Sequence, residues 1–419
     1  MKEYSKNDSY VIYHGNMLDM LDFISPNSID SIVTDPPYGL TSITKRFGKE
    51  TSSYYRVGKD GAFARLSKGF MGKEWDGSGI EYNVETWKKC FEILKPGGYL
   101  LAFGGSRTFH KIASSIENAG FEIRDCIMWL YGSGFPKSMN ISKGIEAKEK
   151  YGKANTVVKR LVEQNCEGDE YRIKQTNNGA MGELIETTRK HYIPHTSLSN
   201  QWNGWGTCLK PAYEPIIIAR KPFKGSLVDN VITNGVGGIN IDECKTNEGR
   251  FPSNVVLTFD ESDYSEVCGN LPNGKKNGSI TKRYKMNNQV YGNYGECNTF
   301  KAYDDEGNAS RYFYCAKASR KDRDEGLGFR NTHPTIKPTE LMQYLVRLVT
   351  PKGGIICDPF MGSGSTGKAV MYENQERNAN YKFIGIEITE EYLPISEARL
   401  KYALNNEKTN NTKKEKEKN

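Results

Sequence analysis

Two short stretches of this chain hold residue types that can do chemistry together. The first is Asp35-Pro36-Pro37-Tyr38, directly after the strand-like run Ser31 to Thr34. An amine conjugated to an aromatic ring is a poor nucleophile, because its lone pair is delocalised. A carboxylate such as Asp35 and a main-chain carbonyl such as that of Pro36 can accept both of its hydrogens and turn the lone pair toward an electrophile. Pro36 and Pro37 have fixed φ angles and so lock that carbonyl's direction. Tyr38 offers a flat face for an extruded base, and such stacking contributes about 1–3 kcal/mol per base. The same four residues also suit a plain strand-terminating turn.

The second stretch is Asp358-Pro359-Phe360-Met361-Gly362-Ser363-Gly364-Ser365-Thr366-Gly367, between a strand-like and a helix-like segment. Glycines there let a ligand approach the backbone and let the following helix sit tight on a sheet. A phosphate-binding loop is the competing interpretation. The G-K-[ST] ending is absent, however, and Asp358 at the loop's mouth would repel phosphate and attract a cation. S-adenosyl-L-methionine, with its sulfonium and ammonium groups, suits Phe360, Gly362, Gly364 and Thr366 better. Glu387, ending the run Phe383 to Ile386, is placed to hold ribose hydroxyls.

The elements that must position these stretches alternate. Strands are expected at Val11 to His14, Ser31 to Thr34, Tyr99 to Phe103, Phe121 to Leu130, Ile355 to Cys357 and Phe383 to Ile386. Helices are expected at Thr86 to Leu94, Phe109 to Ala119, Ile141 to Gln164, Pro338 to Val349 and from Ser365 onward, with a turn at Pro96-Gly97-Gly98. Pro215 to Ala219 is a further periodic run, and Asn254 to Phe259 and Arg311 to Cys315 are short strand candidates. This alternation predicts an α/β fold: a Rossmann-like, mostly parallel sheet with helices on both faces. A long irregular middle interrupts it.

Both motifs, in this order, resemble the DNA amino-methyltransferases of the D-P-P-Y type in the permuted arrangement called class β, where the catalytic segment precedes the cofactor loop. Further blocks look like the family's: Leu94-Lys95-Pro96-Gly97-Gly98, Trp205-Gly206-Thr207, Lys210 to Ile216, and His333-Pro334-Thr335-Ile336-Lys337-Pro338. The last implies that Lys337 and Pro338 help enclose the cofactor, although Pro338 equally suits the first turn of a helix. Gly15-Asn16 stands where the family often has Gly-Asp, and nearby Asp19 reads as a solvated helix acid. A glutamine methyltransferase family shares a similar segment, but its segment begins with Asn and follows the cofactor loop.

The resemblance implies transfer of a methyl group from S-adenosyl-L-methionine to N6 of adenine in double-stranded DNA. N4 of cytosine is the nearest alternative, RNA a further one, and a catalytically silent DNA-binding protein the alternative of another class. No Pro-Cys pair exists, so the nucleophile of a cytosine-C5 enzyme is missing, and Cys357 reads as core. The expected organisation is a catalytic part at 1–131 and 202–224, a lysine-rich insertion at 132–201, the target-recognition region at 225–330, a cofactor-binding part at 331–404 and a disordered charged tail at 405–419. Recognition is expected from Lys275, Lys276, Lys282, Arg283 and Lys285 beside Tyr284, Tyr291 and Tyr294, a mix suited to phosphates and bases. Lys143, Lys148, Lys150, Lys153 and Lys159 read instead as a solvated helix face.

Composition narrows the class without naming it. The net charge is +7, of which the tail carries +2, a mildly basic body. Nine scattered cysteines without a C-x-x-C pair argue against zinc and for a reducing interior, so no metal is expected. No apolar run approaches the roughly 18 residues of a membrane span, which points to a soluble, cytoplasmic protein. A homodimer and a restriction partner are both left open.

Overall fold

The computed structural model describes residues 2–38, 79–131, 138–152, 170–176, 184–190, 192–246, 249–260, 273–276, 280–281, 300–301, 305–318, 320–333 and 335–406. They fall into two compact units, Met1–Gly132 with Tyr213–Asn419, and Ser133–Ala212.

The larger unit is built on ten strands: β1 (Lys2–Lys6), β2 (Tyr10–His14), β3 (Ile29–Thr34), β4 (Leu94–Phe103), β5 (Glu122–Tyr131), β6 (Tyr213–Arg220), β7 (Val255–Asp260), β8 (Tyr314–Ala318), β9 (Ile355–Asp358) and β10 (Lys382–Glu387). They form one sheet in the order β1-β2-β10-β9-β3-β4-β6-β5-β7-β8. Pairing is parallel throughout except at β1/β2, β4/β6 and β6/β5. Its longer helices are α1 (Val84–Ile93), α2 (Phe109–Asn118), α3 (Leu227–Asn234), α4 (Thr339–Val349), α5 (Ser365–Arg377) and α6 (Leu393–Asn405).

Both faces of the sheet are covered. Along β4, Tyr99, Leu101 and Phe103 enter one core with Leu345 of α4, Ala369 of α5 and Leu400 of α6. Leu100 and Ala102 enter the opposite core with Trp87 and Ile93 of α1 and Ile112 and Ile116 of α2. A strand apolar on both faces is what a sandwiched parallel sheet requires. The expected α/β architecture is therefore observed.

The elements differ from expectation in four places. Pro96-Gly97-Gly98, read as a turn, lies inside β4, and the pairing jumps from Ile29↔Leu94 to Ser31↔Tyr99, so these residues bulge out of the ladder without ending the strand. The helix expected to reach Gln164 spans Ile141–Tyr151, closed by Gly152 at φ 67°; the rest of that expectation lies outside the described residues. The stretch 225–330, expected as a recognition region with short strand candidates at Asn254 to Phe259 and Arg311 to Cys315, supplies β7 and β8 to the main sheet, because the Val255-Val256-Leu257 run pairs in parallel with β5. Its helix α3 packs on β4, where Asn230 donates to the Pro96 carbonyl at 3.1 Å. Finally, residues 202–212, expected in the catalytic domain, belong to the smaller unit.

That smaller unit holds Ile141–Tyr151, an antiparallel hairpin of Glu170–Thr176 with Leu184–Lys190, and the helix Ser197–Gln201. Glu146, buried, accepts from the Ser199 hydroxyl at 2.9 Å and from the His195 backbone N–H, tying the two helices together. Lys148 and Lys150 are exposed. Lys153, Lys159, Lys282, Arg283, Tyr284, Lys285, Tyr291 and Tyr294 lie outside the described residues. Lys275 and Lys276 lie on a short strand, Asn273–Lys276. Among the described residues no helix is long and apolar enough to cross a membrane, and no group of three or more His, Cys, Asp or Glu is disposed to hold a metal. Cys357 is buried, as its place on β9 requires.

Candidate active site

The two motifs, more than 300 residues apart in sequence, meet at one rim. Strands β3 and β9 are parallel neighbours in the register Ser31↔Ile356 and Ile32↔Cys357, so Asp35 and Asp358 leave the sheet at the same edge. Asp358 pairs with Gly385 of β10, which sets Glu387 at that edge too. On the other side Thr34 pairs with Ala102, Phe103 with Ile216, and Glu214 with Trp129. Carboxyl ends of parallel strands are where open α/β sheets collect ligands.

At the centre Asp35 shares an ammonium with a second carboxylate. Lys337 Nζ lies 2.9 Å from Asp35 Oδ2 and 3.0 Å from Glu214 Oε2. It also donates to the Tyr38 hydroxyl at 2.9 Å, while that hydroxyl donates to Glu214 at 2.7 Å. The Lys337 side chain is 7% exposed and those of Asp35 and Glu214 are 20%. The rings of Phe103, Tyr38 and Trp129 stand 4.8, 5.2 and 5.8 Å from the ammonium, close enough for their negative faces to favour it. Asp35 Oδ1 is buried and has no hydrogen-bond partner among the described residues. A buried carboxylate oxygen in that state is an acceptor open to a donor from a bound molecule.

Backbone anchors hold the segment. The Tyr38 carbonyl accepts from the Tyr82 hydroxyl at 2.8 Å and the Thr108 hydroxyl at 3.0 Å. Pro36 and Pro37 are buried. Burial pushes the Asp35 carboxyl up from its ordinary value; Lys337 opposes this and Glu214 adds to it. Burial lowers Lys337, but Asp35 and Glu214 outweigh it and hold the ammonium charged. Burial, Asp35 and Glu214 together raise the Tyr38 phenol, which stays neutral. Tyr131, whose hydroxyl lies 3.4 Å from Glu214, is pushed up to about 12 by burial and then by Glu214.

The glycine-rich loop is organised differently from expectation. Asp358 is 2% exposed. Its Oδ1 accepts from the Thr34 hydroxyl at 2.7 Å and the Phe360 N–H at 3.1 Å, and its Oδ2 from the Thr366 hydroxyl at 2.7 Å. The carboxylate read as a cation attractor is thus a tie between β3, β9 and α5. Burial pushes it up to about 7 against those hydrogen bonds. Thr366 and Gly364, also read as cofactor contacts, are buried. Gly364, at φ 75°, seats the helix on α6: a Cβ there would come within 2.9 Å of Leu400 and Ser396. Below the loop, Arg399 donates to the Ser363 carbonyl at 2.8 Å.

Phe360 and Gly362 keep partial exposure. The Gly362 N–H donates to Glu387 Oε2 at 2.7 Å, and Thr389 N–H to Oε1 at 2.7 Å. Burial raises the Glu387 carboxyl against hydrogen bonds from Thr389, Gly362 and Ile388, and an acid at this rim is the residue type that can hold a ribose diol. Pro338 caps α4, its carbonyl accepting from Met342 N–H at 3.1 Å, a helix-start role. Lys337, expected against the cofactor, is engaged by Asp35 and Tyr38. Asn16 caps Met17–Met20, accepting from Leu18 N–H at 3.1 Å, and Asp19 is exposed.

Glu214, Phe103, Trp129 and Tyr131 were not singled out as site residues from the sequence. The signal for Glu214 was an acid beside Pro215 at the head of the apolar run Ile216-Ile217-Ile218, inside a block already noted.

The DNA methylase family pattern, covering N6 and N4 enzymes, matches residues 29–398. The chain is similar to the type II methyltransferase M.HindIII of Haemophilus influenzae, with 23% identity covering 94% of this chain and 96% of that protein. It is also similar to the orphan methyltransferase M.BamHII of Bacillus amyloliquefaciens, 41% identical over 16% of this chain and 24% of that one. Among solved structures, the cytosine-N4-specific PvuII DNA methyltransferase superposes with a TM-score of 0.42 at 14% identity, covering 99% of this chain and 92% of that one. With the family pattern running from β3 past the loop after β9 into α6, the chain belongs to the N6/N4 DNA methylase family.

Proposed function

We propose that this DNA methyltransferase modifies the exocyclic N6 of adenine in double-stranded DNA, with Asp35, Pro36, Pro37 and Tyr38 as its catalytic segment. The observation that carries the assignment is the unpartnered buried Oδ1 of Asp35, at the rim where the glycine loop and Glu387 also end. S-adenosyl-L-methionine is the cofactor and supplies a methyl group made electrophilic by its sulfonium. Phe360, Gly362 and Glu387 would hold it, Glu387 through the ribose.

The target base leaves the duplex and stacks on Tyr38, whose ring is steadied by the bonds from its hydroxyl to Glu214 and Lys337. Asp35 Oδ1 takes one amine hydrogen and the Pro36 carbonyl the other, so the lone pair turns out of conjugation. The N–C bond then forms as the C–S bond breaks, and the surplus amine proton leaves by way of Asp35 to water. Proximity and preorganised acceptors account for the acceleration, with no covalent enzyme intermediate.

The test is to incubate the protein with unmethylated DNA and labelled cofactor, digest to nucleosides and identify the labelled one. N6-methyladenosine in its deoxy form is the expected product. N4-methylcytosine would overturn the choice of adenine, and label found only with RNA would overturn the choice of DNA.

A further inference from the structure

We infer that Lys337 is a positioning residue for the methyl transfer: its ammonium, shared by Asp35, Glu214 and Tyr38, occupies Oδ2 of Asp35, keeps that group a carboxylate and leaves Oδ1 as the acceptor for the amine. This rests on the catalytic role proposed for Asp35. Three contacts of 2.9–3.0 Å and a 7% exposed side chain make the cation a fixed part of the site. Phe103 and Trp129 wall it in from the side chains' apolar side of the sheet core, where both are buried.

A protonated Asp35 would carry a hydrogen that competes with the amine, and the buried site favours that form. The groups that set its charge are Lys337 from the segment before α4, Glu214 from β6, Tyr38 from its own segment, Tyr131 of β5 acting through Glu214, and Asp358 from the end of β9. Among the described residues, Lys337 is the cation in contact with Asp35. Glu214 works in the opposite direction, as a like charge that also draws on the same ammonium. The two residues therefore have effects of opposite sign on the pH at which Asp35 becomes competent.

The experiment measures single-turnover methyl transfer by the full-length protein, with unmethylated bacterial DNA and labelled S-adenosyl-L-methionine, from about pH 5 to about pH 9. Wild type, K337R, K337M and E214Q are compared. In K337M the acid limb of the profile moves up by about one pH unit or more, the shift an adjacent opposite charge typically exerts. K337R keeps the wild-type limb, E214Q moves it down or leaves it, and cofactor affinity of the K337M protein changes by less than about threefold, roughly 0.6 kcal/mol.

A second readout needs no turnover: in cofactor-free protein with carbon-13 aspartate, the signal lost in D35N titrates at higher pH in K337M. A K337M rate lowered equally at every pH, or a cofactor affinity lowered about tenfold, overturns the inference. So does an acid limb that moves up in E214Q, which remains measurable if K337M does not fold. Wild-type protein that methylates DNA with an unmoved limb in K337M sinks this inference alone. Wild-type protein that methylates no DNA sinks the proposed function and this with it.

Discussion

Asp35→Asn is the perturbation with the most to say, because the geometry decides which way the new amide must turn. Asp35 Oδ2 faces an ammonium, which only donates, so the amide oxygen of an asparagine has to take that side. Its NH2 group then occupies the place of Oδ1, and a donor confronts the hydrogens of the amine. The variant should therefore lose as much as Asp35→Ala does, despite being nearly isosteric. Loss of one oriented acceptor in such a site lowers the rate about a hundredfold to a thousandfold, or about 3–4 kcal/mol. The inverted donor should place Asn at the upper end. Stability should hold, since Lys337 keeps Glu214 as partner and the group changes from two carboxylates on one ammonium to a matched pair. The assay is single-turnover transfer of labelled methyl, alongside calorimetric titration of the cofactor and a thermal melt. Cofactor affinity within about threefold of wild type is expected, about 0.6 kcal/mol. A variant that keeps more than about a tenth of the wild-type rate would refute the acceptor role; one that loses cofactor binding in proportion to rate would put Asp35 against the cofactor instead.

Three further outcomes follow from the loop and its supports. Asp358 binds its proton more tightly when folded, near pH 7, than when unfolded, near pH 4, so the folded state holds more protons between those values and stability falls as pH rises through them. Asp358→Asn should remove that decline, worth up to about 4 kcal/mol, in denaturant melts at the two ends of the window; parallel curves for both proteins would contradict it. Lys368, fully buried in α5, pairs with Asp322 at 2.6 Å and Glu325 at 2.8 Å. Lys368→Met takes the ammonium from both carboxylates, leaving Asp322 its bonds from Thr339 and Glu325 its bond from Tyr372; it should cost about 3–5 kcal/mol of unfolding free energy, and a loss below about 1 kcal/mol would show that those bonds suffice. Gly364→Ala meets both a left-handed backbone and close contacts with Leu400 and Ser396, so it should lose about 2 kcal/mol or more and weaken cofactor binding; a variant equal to wild type in both would mean the loop can shift freely.

Much of the fold was legible because period and punctuation agreed. The strands after which Asp35, Asp358 and Glu387 emerge were bounded by their apolar runs and by Pro36, Pro359 and the glycines. In the long middle the strand runs Asn254 to Phe259 and Arg311 to Cys315 were legible, but their place in the main sheet was not, because it depends on a distant neighbour, β5, to pair with. Pro96-Gly97-Gly98 misled: turn residues were absorbed as a bulge, since Gly97 N–H and the Gly98 carbonyl bond to Lys221 across the ladder.

Sequence alone determined which residue types stand at the ends of which strands, because local propensity and two-residue alternation are written in neighbouring positions. It therefore held the Asp35 to Tyr38 segment, the glycine loop and the alternation that makes a covered parallel sheet. Only the tertiary structure decided partners. That Lys337 faces Asp35 across 302 residues, that Glu214 competes for the same ammonium, and that Asp358 is tied by two threonines all follow from strand order and register. These are long-range choices, made by burying apolar faces, to which no local pattern answers.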